Sequence, residues 1–215
     1  MKGVGTRERD LLAVICERPN AYLQDLRAAY QAAHKLDLLT RIRLETSGQH
    51  QRVFEALLLT KPELRAVYVH ESVKGLGTNE LLLVDTLLTC NNAEMDQTKD
   101  AYKHHHLIGK RERKKTDLGL WLLTFLSPVF FPSLTGMQAR VDFDTSGTFQ
   151  KLLDAAMHSS RPEDGVHPEW VEQDLITLFN ATEGKTFGCD NKAIIDLIEH
   201  RSKAHLVHLN EAYKG

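Results

Sequence analysis

Cysteine is scarce in this 215-residue chain: Cys16, Cys90 and Cys189 are too few, and odd in number, for a disulfide framework. Their spacings match no zinc pattern either, which points to a reducing, intracellular setting. An excess of charge of one sign is also missing. The 27 Lys+Arg nearly balance 29 Asp+Glu, for a formal net charge of −2, so no basic field marks the chain for nucleic acid. No apolar stretch opens the sequence, since Met1 to Glu8 carries charge where a secretory signal would be hydrophobic. Only one long apolar run occurs, Leu118 to Leu134, and Pro128 and Pro132 interrupt it. It falls short of the ~20 apolar residues of a spanning helix, so a transmembrane protein is not expected. Strand-type alternation is absent as well. What remains, 42% hydrophobic and 26% charged residues, is the composition of a soluble globular protein.

Within this ordinary composition the sequence repeats itself. Lys2-Gly3-Val4-Gly5-Thr6 returns as Lys74-Gly75-Leu76-Gly77-Thr78, and more loosely as Lys185-Thr186-Phe187-Gly188-Cys189-Asp190. Counted from the second glycine, three apolar columns agree without gaps: Leu12, Val84, Ile195; Ile15, Leu87, Ile198; and Leu23, Met95, Leu206. An aromatic column follows with Tyr30, Tyr102 and Tyr213, while Arg18 and Arg201 share a column that Cys90 breaks. A second block also recurs, as Glu45-Thr46-Ser47-Gly48 and Asp144-Thr145-Ser146-Gly147. Glu45 lies 42 residues past Gly3 and Asp144 lies 69 past Gly75, so the second copy carries 27 extra residues.

Apolar residues within each copy recur at i, i+3, i+4 and i+7, as in Leu11, Leu12, Ile15 and Leu23, Leu26, Tyr30, which is helical spacing. Stop, cap and turn residues at Pro19-Asn20, Thr46-Ser47-Gly48, Lys61-Pro62 and Cys90-Asn91-Asn92 divide the first two copies. Helices are expected near 7–17, 20–34, 37–45, 48–59, 62–73, 79–90, 93–103, 137–144, 147–158, 169–181, 190–201 and 203–214. The stretch from His158 to His167, with Pro162 and Gly165, reads as a linker. The fold class is therefore all-α, an array of short helices.

A Lys-Gly-x-Gly-Thr loop between helices leaves backbone carbonyls free to turn outward, because glycine tolerates conformations closed to other residues. Calcium takes 6–8 oxygen ligands, and loop carbonyls with a bidentate carboxylate could supply most of them. Glu45 and Asp144 stand at corresponding places to provide that carboxylate. A plain helix-to-helix turn with Thr as N-cap is the competing reading of one such loop, but two loops followed in register by acid-Thr-Ser-Gly favour a site. A phosphate-binding P-loop does not fit, since the GKS/T ending and a preceding strand are both missing.

Taken together, the Lys-Gly-x-Gly-Thr loops, the Arg and Tyr columns and the Glu/Asp-Thr-Ser-Gly blocks closely resemble the annexin repeat. The resemblance covers nearly the whole chain apart from the extra block. It implies five short helices per repeat and calcium sites that dock the protein on anionic phospholipid. On this basis residues 1–60 form repeat one lacking its first helix, and 61–158 form repeat two with an insertion within about 103–136. Residues 159–168 are a linker, and 169–215 form repeat three lacking its last two helices, so the array is incomplete. The first Ca2+ site implied would use carbonyls of Met1, Gly3 and Gly5 with the carboxylate of Glu45. The second would use carbonyls of Val73, Gly75 and Gly77 with Asp144. Lys2 and Lys74 would add contacts to headgroups. The third loop lacks the first glycine and the threonine, and no acid is available to it, so it receives no site. The resemblance further implies a cytoplasmic protein, peripheral on membranes when calcium is raised.

Two readings fit the extra block, in which the basic run Lys110 to Lys115 precedes Trp121, Phe125, Phe130 and Phe131. It is an interfacial membrane segment, or it is translated non-coding sequence. His104-His105-His106 cannot all face one ion on a helix, where neighbours point about 100° apart, and a solvated helix end is expected there. No Ser-His-Asp or Cys-His arrangement is suggested, so no enzyme is expected. The alternative function is a calcium-independent helical scaffolding module, or a partial gene product with degraded calcium sites.

Overall fold

The computed structural model describes residues 8–74, 77–113, 136–158 and 160–214. Among these residues there are twelve helices and no strand, so the all-α expectation holds. In chain order they are α1 Glu8–Cys16, α2 Asn20–His34, α3 Leu38–Glu45, α4 Gly48–Leu58, α5 Lys61–Ser72 and α6 Glu80–Leu87. Then come α7 Asn92–Arg113, α8 Met137–Asp144, α9 Gly147–Met157, α10 Pro168–Ala181, α11 Asn191–His200 and α12 Lys203–Lys214. No helix among the described residues is long and apolar enough to cross a membrane. The chain divides into two compact units, Met1–Leu64 and Arg65–Gly215.

In the first unit, Ile15, Leu23, Leu38, Leu39, Ile42, Phe54 and Leu58 form the buried interior. These come from all four helices α1 to α4, which is what the 3.6-residue apolar period requires of a bundle. Polar side chains of α2 then close the end of α4, whose last carbonyls have no partner within their own helix. Asn20 Nδ2 donates to Leu57 O and Leu59 O, both at 2.9 Å, and Gln24 Nε2 donates to Leu58 O at 2.9 Å. Arg27 Nη1 reaches both Leu58 O and Glu63 Oε2 at 3.2 Å. Glu63 in turn caps α5: its Oε2 accepts from Thr60 N at 2.7 Å while Thr60 Oγ1 accepts from Glu63 N at 3.4 Å, a capping box.

The second unit buries Ala66, Val69 and Val73 with Leu83, Leu87, Met95, Tyr102, Met137, Val141, Leu153 and Met157. Six of these stand at the repeat positions of Ile15, Leu23, Leu38, Ile42, Phe54 and Leu58, so both copies spend the same positions on their interiors. Full burial of one such side chain is worth about 1.5–3 kcal/mol. Leu12 stays 39% exposed, whereas Ile195 of the same column is buried. A capping box also starts α7, with Asn91 Oδ1 accepting from Glu94 N at 2.7 Å and Glu94 Oε2 accepting from Asn91 N at 3.2 Å.

Helix α7 corrects one expectation. It runs to Arg113 instead of stopping near 103, so the three histidines lie inside a helix and not at its end. The reason is visible in the sequence: between Tyr102 and Arg113 no proline occurs, and the single Gly109 costs only about 1 kcal/mol. The aromatic part of the extra block lies outside the described residues.

The stretch 158–167 is tied to the helices on both sides. Asn92 holds it at the start of α7, through Asn92 N to Glu163 Oε1 at 2.6 Å and Asn92 Nδ2 to Arg161 O at 2.7 Å. Farther along, Ser202 Oγ donates to Gly165 O at 2.9 Å, and His167 N donates to His205 Nδ1 at 3.2 Å. That bond leaves the wholly buried His205 with its proton on Nε2, which faces Asp174 Oδ2 at 3.0 Å. Arg201, from the shared arginine column, grips the same carboxylate with Nε at 2.6 Å and Nη2 at 2.9 Å, and lies over the Trp170 ring. Burial pushes the Asp174 carboxyl up, but hydrogen bonds from Arg201 and His205 outweigh it and hold it below the usual carboxylate range.

Candidate metal centre

The acid-Thr-Ser-Gly block is a helix stop followed by a sharp turn, and it performs this identically in both copies. Thr46 and Thr145 leave the helix with extended backbone, φ −127° and −124°. Each turns its hydroxyl back onto the helix just ended, Thr46 Oγ1 to Ile42 O and Thr145 Oγ1 to Val141 O, both at 2.7 Å. Gly48 and Gly147 then start the next helix at φ +63° and +65°, a region that costs residues with a Cβ roughly 1–2 kcal/mol. As a result Glu45 and Asp144 are each the last residue of a helix, α3 and α8.

The second glycine loop comes to meet Asp144. Gly77 turns at φ +90°, which a side chain would resist, and Asn79 N closes the loop onto Ser72 O at 2.8 Å. Asn79, not Thr78, caps α6, its Oδ1 accepting from Leu82 N at 3.1 Å. Thr78 Oγ1 is thereby released to donate to the backbone carbonyl of Asp144 at 2.7 Å, across 66 residues of chain. The threonine of the loop motif is therefore a clasp between loop and helix end, which the N-cap reading missed.

Across this junction stands Arg140, which motif reading did not single out. Its Nη2 donates to the carbonyl of Val73 at 3.1 Å, and its Nε lies 3.0 Å from Asp144 Oδ2. The second contact is an ion pair without hydrogen-bond alignment, so Oδ2 stays buried with no hydrogen-bond partner. A carbonyl and a carboxylate named from sequence as ligands thus converge on one cationic group, and the carboxylate keeps unspent acceptor capacity. This donor set suits a hard cation such as Ca2+, which prefers carboxylate and carbonyl oxygen.

Of the remaining expected ligands, Met1, Gly3, Gly5 and Gly75 lie outside the described residues. Glu45 is half-buried and paired with Arg41, Nη2 to Oε1 at 2.6 Å. Lys74 faces solvent and pairs with Glu71 at 3.2 Å. No group of three or more His, Cys, Asp or Glu side chains that could hold a metal occurs among the described residues, so any cation here must rely on backbone oxygen. The third loop keeps the turn, with Gly188 at φ +70°, but not the acid. Its Asp190 caps α11 through Ala193 N at 3.3 Å and pairs with Lys185. That backbone N–H and then Lys185 hold the Asp190 carboxyl below its ordinary value. Phe187 at the loop tip is 92% exposed.

Comparison with known proteins agrees with this architecture. The family model described as Annexin matches residues 1–57 and 66–106. Annexin A7 of Dictyostelium discoideum is 28% identical over 213 residues, covering 99% of this chain and 40% of that protein. Annexin A5 of Homo sapiens is 27% identical over 214 residues, covering 99% and 58%. The chain thus spans between two fifths and three fifths of the length of these relatives. Among solved structures, annexin III superposes with a TM-score of 0.78 at 25% identity, covering 99% of this chain and 58% of that one. In sequence and in fold the chain is thus similar to annexins over nearly its whole length.

Proposed function

We propose that this protein binds anionic phospholipid membranes through calcium, as a peripheral protein of the cytoplasm and not as an enzyme. The single observation that carries this reading is the convergence of the Val73 carbonyl and the Asp144 carboxylate, with Oδ2 buried and lacking a hydrogen bond, beside a glycine loop. Val73, Gly75, Gly77 and Asp144 would hold one calcium ion, and Met1, Gly3, Gly5 and Glu45 another. The ion would supply a positive charge that also accepts oxygen from lipid phosphate. This chain's own part is to aim the carbonyls by glycine turns and to fix each acid at a helix stop. The repeats are proposed as 1–60, 61–158 and 169–215, joined by 159–168.

Co-sedimentation of the full chain with phosphatidylserine vesicles tests the reading, with calcium and with chelator, alongside Glu45→Ala and Asp144→Ala. Binding that needs calcium and weakens at least tenfold in the double variant is expected. Equal binding in chelator would refute it.

A second reading, a helical interaction module indifferent to calcium, is favoured by one specific observation. In both copies an arginine already sits on the acid.

A further inference from the structure

Arginine at the fourth position before the acid is the only residue identical between α3, Leu-Leu-Thr-Arg-Ile-Arg-Leu-Glu, and α8, Met-Gln-Ala-Arg-Val-Asp-Phe-Asp. In each helix it turns along the axis to pair with the acid, Arg41 with Glu45 at 2.6 Å and Arg140 with Asp144 at 3.0 Å. An i,i+4 pair on a helix surface needs no further explanation. The contact to Val73 does, because it takes the guanidinium off its own helix and onto the loop carbonyl.

We propose that Arg140 is a built-in cation held on the Asp144 carboxylate and the Val73 carbonyl, and that it must swing away before calcium binds them. This proposal rests on the calcium reading given above. Calcium and a guanidinium cannot share Asp144 Oδ2: the metal needs that oxygen at about 2.3–2.6 Å, and two positive charges on one carboxylate repel. The surroundings let the arginine leave and the acid stay. The Arg140 side chain is 37% exposed and can turn into water, whereas Asp144 is 18% exposed and its backbone is held by Thr78. Departure also frees the Val73 carbonyl, so a single rotamer change presents two oxygens to an incoming ion. A docked arginine lowers apparent calcium affinity by the fraction of time the site is open, and an ion pair with one added hydrogen bond gives roughly tenfold. Binding would then be confined to higher calcium than the bare ligand set would demand.

The test uses the full chain carrying Glu45→Gln, so that the second site is read alone, and calcium is titrated by isothermal titration calorimetry. Arg140→Gln is expected to tighten calcium binding roughly tenfold, and Arg140→Lys, whose single ammonium cannot bridge both oxygens, to tighten it less. Adding Asp144→Asn to either variant is expected to abolish the heat. Equal calcium affinity with and without Arg140→Gln overturns the gate while leaving the calcium reading in place. Absence of binding in every protein, including Arg140→Gln, overturns both. Thermal melting in chelator confirms that each variant is folded, and Arg140→Lys decides the matter if Arg140→Gln is not.

Discussion

The two copies differ at one buried electrostatic position, and the difference predicts how stability should change with pH. In copy one, Arg43 of α3 pairs with Glu55 of α4, Nε to Oε1 at 3.2 Å, and Gln51 Nε2 donates to Glu55 Oε1 at 2.7 Å. The corresponding residues in copy two are Asp142, Asp154 and Gln150. Two carboxyl groups therefore face each other where the first copy has an ion pair, and Asp142 Oδ1 and Asp154 Oδ1 are both buried without a hydrogen-bond partner. Burial, then the contact with Asp154, pushes the Asp142 carboxyl up to about 6, with Gln150 and His158 opposing. Because the folded state holds this proton more tightly than the unfolded chain, whose Asp titrates near ~3.9, the native state is favoured at low pH. That contribution is complete below about pH 4 and is lost as pH rises through about 6. One carboxyl shifted this far corresponds to a ceiling of about 3 kcal/mol, and partial solvation of the pair reduces it to roughly 1–2 kcal/mol. Asp142→Asn should therefore raise stability at pH 7.5 by about 1–2 kcal/mol, or roughly 2–8 °C in Tm for a unit of this size. Below pH 4 it should change nothing. Asp142→Arg should stabilise at least as much at neutral pH by recreating the pair of copy one. Thermal melts of wild type and both variants from pH 3.5 to 8 check this, and the difference between curves isolates the pair from other titrating groups. A gap between wild type and Asp142→Asn that does not widen between pH 4 and 7 would refute the reasoning.

Two further perturbations follow from the geometry. Asp174→Asn strips Arg201 and the buried His205 of their shared anion and should cost about 3 kcal/mol at pH 7, read by urea denaturation. Since the Asp174 carboxyl is held below its ordinary range, that loss should shrink as pH falls below about 4. Gly48→Ala and Gly147→Ala should each cost roughly 1–2 kcal/mol through backbone strain alone, because a Cβ at either position meets no atom within 4 Å. Melting temperatures unchanged in both glycine variants would show that the turn relaxes without penalty.

The amino-acid sequence by itself determined the local structure of this protein, through short-range physics. The 3.6-residue apolar period gave twelve helices close to their observed bounds, since burial of one face is encoded at i, i+3 and i+4. Glycine at positions 48, 77, 147 and 188 was legible because backbone that turns to positive φ excludes most other residues. Helix α7 ran past its expected end because a polar stretch without proline carries no stop signal of its own. Tertiary structure alone decided what the pieces do to one another. That Thr78 clasps the carbonyl of Asp144, and that Arg140 bridges Asp144 and Val73, depends on contacts across more than 60 residues, for which the sequence has no spacing rule. The arginine had left one trace, its recurrence four residues before each acid, but a surface i,i+4 pair and a gate over a metal site share that spacing. Only the third contact, from another segment of the chain, distinguishes them.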